Sequence, residues 1–162
     1  MEITIITTGG SIDKDYPKPT KGYAFEIGPP AAKRILEKVK PNFNFKIVSV
    51  LQKDSLDITD DDRELILKAV KNSPSEKIII THGTDTILKT AEKISTVKNK
   101  IIILTGATRP ERFVDSDAAF NLGCAIGAIS VLKEGVHIVM QGRIYPWDKC
   151  RRDEETGRFE DK

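Results

Sequence analysis

Cysteine, histidine, aromatic side chains, long apolar runs and net charge are all scarce in this chain, and each shortage removes a class of protein. The two cysteines among 162 residues, Cys124 in an apolar stretch and Cys150 in a basic one, supply neither a disulfide framework nor a metal-ligand spacing. No two His, Cys or Asp residues show the separation of a metal site, so no metal is expected. No apolar run reaches the ~18–20 residues of a membrane span, and Met1 leads straight into a strand pattern with no leader in front of it. Lys and Arg number 26 against 24 Asp and Glu, a net charge of +2. That near balance lacks the basic excess that marks a nucleic-acid or membrane binder. The expectation is a soluble cytoplasmic protein with no nucleic-acid and no membrane partner. Internal repeats and low-complexity tracts are also absent.

What is present is a regular alternation. The length fits one domain with a real core. Apolar, β-branched runs at 2–7, 45–50, 77–81, 101–105 and 136–140 predict five strands. Between them, apolar residues recur at three-to-four spacing. Ala32, Ile35, Leu36 and Val39 follow Pro29-Pro30, and Leu65, Ile66, Ala69 and Val70 follow a Thr59 cap with Asp60 to Asp62 behind it. Ile87, Leu88, Ala91 and Ile94 form a third stripe, and the run 116–132 is the most apolar. Strands alternating with helices predict an α/β fold, a three-layer, mostly parallel Rossmann/flavodoxin-like sheet with helices on both faces, in a single domain. Residues 1–142 form that domain. Residues 143–162 read as a polar tail, anchored by Tyr145, Trp147 and Phe159, that wraps the surface or crosses to a partner subunit.

Four strand ends are rich in hydroxyls, glycine and acid: Thr7-Thr8-Gly9-Gly10-Ser11, Asp54-Ser55-Leu56-Asp57, Thr81-His82-Gly83-Thr84-Asp85-Thr86 and Gly106-Ala107-Thr108-Arg109-Pro110. In open parallel sheets ligands bind outside the carboxyl ends of the strands. The Gly9-Gly10 turn lacks both the third glycine of a dinucleotide fingerprint and the GK[ST] of a P-loop, so a nucleotide cofactor is not expected. Thr84-Asp85 has two readings. It is a helix cap with an acidic first turn, or it is a hydroxyl nucleophile beside its orienting acid, with Gly-rich backbone N–H groups ready for an oxyanion. His82 reads as a strand end with its ring turned from the site. The stretch 11–30 is dense in Pro and Gly and reads as a lid or a plain connection. Gly123 and Gly127, four positions apart, permit close packing on the sheet or at a subunit interface.

Thr8-Gly9-Gly10-Ser11-Ile12, Thr81-His82-Gly83-Thr84-Asp85-Thr86, Gly106-Ala107-Thr108-Arg109-Pro110 and Ser116-Asp117-Ala118-Ala119-Phe120-Asn121-Leu122 together resemble the bacterial-type L-asparaginases, in their amino-terminal domain and in the same order. The resemblance covers about residues 2–142. It implies that Ser11 stands at the first catalytic threonine, Thr84 at the second, and Tyr23 at the flexible-loop tyrosine. Ser55 would bind the α-carboxylate and Asp85 the amino group of the substrate, with Gly10 and Gly83 lining the pocket. The family's catalytic lysine lies a few residues beyond a Gly-Arg pair; after Gly142-Arg143 the expected offset falls on Trp147, and Lys149, two places later, is assigned that role. Ser11 in place of threonine keeps the hydroxyl and loses the methyl. Family members continue into a second domain. The implied function is hydrolysis of the side-chain amide of asparagine or a small relative, without a metal or organic cofactor, in a homo-oligomer (dimer or tetramer). The alternatives are a weak or inactive single-domain amino-acid binder, or a subunit of an amidotransferase-type assembly.

Overall fold

The computed structural model describes residues 1–16 and 25–162. Strand β1 (Glu2–Gly9) is buried from Ile3 onward, as a run of isoleucine and threonine at the centre of a covered sheet must be. A 3-10 turn over Ser11–Asp13 leads to the short β2 (Lys14–Asp15), which pairs antiparallel with β3 (Glu26–Ile27). Helix α1 (Ala31–Val39) starts directly after Pro30, and Lys40 ends it in the left-handed conformation. Strand β4 (Asn44–Lys53) follows. Thr59 then caps α2 (Asp60–Asn72) through a reciprocal box, its hydroxyl accepting from Asp62 N while Asp62 accepts from Thr59 N. Strand β5 (Lys77–Thr81), α3 (Ile87–Ile94), β6 (Ile101–Thr105), α4 (Ala118–Ala128) and β7 (Gly135–Met140) complete the alternation.

Among the described residues the main sheet has six strands in the order β4-β1-β5-β6-β7-β8. The first five are parallel, matching the five expected from sequence. The sixth, β8 (Arg143–Pro146), runs antiparallel to β7 and was not expected from its polar sequence. Helices α2 and α3 bury their stripes on one face, α1 and α4 on the other, giving the three-layer α/β arrangement. The chain leaves β1 for β4 on one side and then crosses back to β5 on the other. The strand order therefore reverses between β1 and β5, and the crevice at their carboxyl ends is where such sheets bind ligands.

One connection departs from the usual rule. From β5 to β6 to β7 the chain steps in one direction, yet α3 and α4 lie on opposite faces. The α4 crossover thus has the opposite hand to the α3 crossover, where nearly all such units share one hand. The consequence is local to the site. The segment after β6 is carried onto the α1 face, where Glu111 N donates to Ile12 O at 3.2 Å and Arg112 pairs with Asp15 at 2.8 Å.

Helix α4 is shorter than the 116–132 pattern, ending at Ala128. Gly123 and Gly127 do not pack on the sheet: a Cβ placed on either meets nothing within 4 Å among the described residues. After β8, strands β9 (Cys150–Arg152) and β10 (Phe159–Asp161) form an antiparallel hairpin. Tyr145 and Phe159 are buried in the α2–α3 side of the core, and the Tyr145 hydroxyl donates to Phe159 O at 2.7 Å. Among the described residues no helix is long and apolar enough to cross a membrane.

Candidate functional site

Four strand-end loops interlock at the β1–β5 crevice through glycine. Gly9 and Gly10 have φ of +97° and +84°, which lets β1 turn sharply at its end. Gly10 N donates to Lys53 O at 2.9 Å, tying this turn to the end of β4. A Cβ on Gly10 would lie 2.4 Å from Gly83 N, so the two backbones touch with no room for a side chain. A Cβ on Gly83 would lie 2.7 Å from Ser55 Oγ, and one on Gly106 would lie 2.2 Å from His82 O. The loops after β1, β4, β5 and β6 are therefore in direct contact around His82 and Gly83.

Hydroxyls fasten this junction. Thr8 donates to Thr81 O at 3.0 Å and Thr86 to Ser55 O at 2.7 Å. The Ser55 hydroxyl is itself buried, with no hydrogen-bond partner among the described residues. A buried, unsatisfied hydroxyl costs about 1–3 kcal/mol, so it is a group to which a ligand oxygen would restore a partner. Thr84 is buried beside Gly106, and Asp85 is exposed. Ser11 is half-buried at the start of the 3-10 turn.

His82 is engaged elsewhere. Its Nδ1 lies 2.8 Å from Gly83 O and its Nε2 lies 2.8 Å from Thr90 Oγ1. Because a carbonyl only accepts, Nδ1 carries the proton and Nε2 accepts from Thr90. Full burial pushes the imidazole down to about 4, with Arg63 acting in the same direction and the Gly83 carbonyl against both. The ring is a neutral strut under α3, with no nitrogen left over as a base.

The electrostatic partner of Asp85 is Arg152, on β9, at 3.1 Å. Nothing local in the sequence signals this contact. Lys149 is exposed at the end of the Trp147–Lys149 turn, and its carbonyl accepts from Lys162 N at 3.1 Å. On the opposite rim Lys14 pairs with Asp54 at 2.8 Å and holds that carboxyl below its usual range. Tyr23 lies outside the described residues. The Ser116–Leu122 motif serves the framework: Asp117 accepts from Thr108 N and Arg109 N, and Asn121 donates to Gly106 O at 3.0 Å.

Residues 2–158 match the family model described as Asparaginase, N-terminal. The chain belongs to the asparaginase family. It is 29% identical over 154 residues to L-asparaginase 2 of Bacillus subtilis, covering 88% of this chain and 41% of that one. It is 29% identical over 157 residues to the glutaminase-asparaginase of Acinetobacter glutaminasificans, covering 88% and 47%. A glutamyl-tRNA(Gln) amidotransferase chain of Pyrococcus furiosus is 35% identical over 152 residues, covering 86% and 33%. Among solved structures the chain superposes on the thermostable L-asparaginase from Thermococcus kodakarensis with a TM-score of 0.86 at 25% identity, covering 99% of this chain and 51% of that one. The chain spans less than half the length of these three sequence relatives. Its fold is that of the asparaginase amino-terminal region.

Proposed function

We propose that this chain binds a small amino acid or its amide at the β1–β5 crevice and hydrolyses the side-chain amide of asparagine or a close relative. The observation that carries the reading is the interlock of Gly10, Gly83 and Ser55, which gathers three hydroxyl-bearing strand ends at the reversal point of the sheet. Asp85 and Ser55 grip the amino and carboxylate groups. Ser11 or Thr84 attacks the amide carbon, while N–H groups of the glycine turns face the developing oxyanion. The C–N bond breaks, ammonia leaves with the hydroxyl proton, and water then cleaves the ester. Tyr23 assists the nucleophile, and Lys149 is of the residue type that can take up a proton.

A second reading is binding without turnover, alone or as part of an amidotransferase-type assembly. The Arg152–Asp85 pair favours it, because the cation at the amino-group site is a guanidinium that stays charged and cannot act as a base. Ammonia release from asparagine and glutamine, with aspartate binding by calorimetry, separates the two. Under the first reading Ser11→Ala or Thr84→Ala lowers turnover by roughly a thousandfold or more. Under the second, no amide is hydrolysed, yet aspartate binds and Asp85→Ala abolishes binding. Absence of both signals rejects both readings.

The same proposal includes a cytoplasmic homodimer or homotetramer. The exposed face of α4 and the exposed residues of the segment 143–162 supply the contact surface. Phe120 (59% exposed) and Val131 (79% exposed) flank the open glycines there. A monomer by light scattering at micromolar concentration would reject it.

A further inference from the structure

Helix α1 begins behind Pro30, which offers no side-chain cap. Its first amide is satisfied from far upstream: Ala31 N donates to Asp13 Oδ1 at 2.7 Å, a buried bond. Asp13 is 2% exposed and closes the 3-10 turn that Ser11 opens. Its backbone is tied on both sides. Asp13 N donates to Gly10 O at 3.1 Å, and Gly28 N, just past β3, donates to Asp13 O at 2.8 Å. One residue thus joins the glycine turn of β1, the segment returning after β3 and the amino end of α1.

We propose that Asp13 is a positioning residue for the site, the strut that holds the Ser11 turn at the sheet edge by fixing it to α1. The proposal rests on the reading of Ser11 as a hydroxyl of the amide site. Among the described residues two charged groups face Asp13. Arg34, on α1, favours its ionised form, and Glu111, on the segment carried over by the α4 crossover, opposes it. Arg34 and Glu111 are themselves paired at 2.7 Å, so their effects on Asp13 largely offset. Desolvation is the leading influence and pushes the carboxyl up to about 6. A merely local turn would not need a buried acid; an asparagine or serine would close it without that burden. What Asp13 adds beyond closing the turn is a side-chain oxygen that reaches the first amide of α1.

The test compares Asp13→Ala, Asp13→Ser and Asp13→Asn with wild type, the asparagine keeping an oxygen acceptor at the same reach. Native-state hydrogen exchange at residues 11–14 is expected to speed up about tenfold or more in the alanine variant, with β5 unchanged. Asparagine should restore wild-type protection. If the alanine variant does not fold, the serine variant, too short to reach Ala31 N, is expected to show the same exchange. In amide hydrolysis, turnover should fall about tenfold or more with KM nearly constant, because a shifted Ser11 loses alignment while Asp85 keeps its grip. Unchanged exchange at 11–14 overturns the proposal, as does a loss of turnover that asparagine fails to rescue. If the wild type releases no ammonia, the hydrolytic reading fails on its own, and the exchange data decide the role of Asp13.

Discussion

Gly10→Ala is expected to cost roughly 3–5 kcal/mol of folding stability, enough to unfold a large part of a marginal domain. Two costs add. The φ of +84° with ψ near −179° is a region that L side chains rarely enter, worth about 1–3 kcal/mol. The new Cβ would also press against Gly83 N at 2.4 Å and Gly83 Cα at 2.5 Å, backbone atoms that cannot rotate away. Gly83→Ala should cost less, about 1–3 kcal/mol, because its φ lies outside the positive region and only the steric cost remains, from Ser55 Cβ at 2.6 Å. Gly123→Ala is the control, since its Cβ meets nothing within 4 Å and glycine inside a helix is unfavourable. It should stabilise by about 0.5–1 kcal/mol. Urea unfolding of the three variants gives the ranking. A Gly10→Ala penalty under about 1 kcal/mol would mean that the turn can swivel and that the strand-end loops are not rigidly interlocked.

That contrast between glycines marks what sequence can and cannot disclose. Isoleucine runs such as 78–80 and 101–103 identify buried parallel strands because both faces of a covered sheet demand apolar side chains. The Thr59 cap is equally legible, since its partner Asp62 is three residues away. Periodicity does not say which face of the sheet a helix covers. The hand of the α4 crossover, and with it the meeting of Glu111 and Arg112 with the Ser11 turn, therefore comes only from the fold. The same holds for Arg152, whose pairing with Asp85 depends on how β9 leaves the edge strand. In sequence Asp13 is one loop residue among several, because a cap donated from 18 positions away has no local signature. The glycine pair of α4 escapes sequence for the opposite reason: spacing alone does not show whether a face looks inward or outward.

Two buried groups are expected to titrate against each other between pH 4 and 6.5, and single variants should expose each. Unfolded His82 binds a proton near 6.5, whereas the folded ring does so only near 4. In that window the unfolded state holds more protons, so the contribution of His82 is complete above pH 6.5 and is lost on acidification. Asp13 has the opposite sign. Its folded carboxyl titrates near 6 against 3.8 unfolded, so its contribution is complete below pH 3.8 and is lost as pH rises through 6. Each displacement is worth about 3 kcal/mol, so over the shared range the two slopes nearly cancel. Asp54, Asp62 and Asp153 are all held below their usual value, so their stabilisation is lost only below about pH 4, outside the window. Urea unfolding from pH 4 to 7 should therefore be nearly flat for wild type between 4 and 6. Asp13→Asn should lose about 3 kcal/mol on acidification from 6.5 to 4, with His82 acting alone. His82→Gln should gain a similar amount from 6 to 4, with Asp13 acting alone. Parallel pH profiles for the wild type and both variants would show that neither group is buried as described. Divergence in the stated directions would show that the imidazole under α3 and the carboxyl at the start of α1 are both buried struts of the fold.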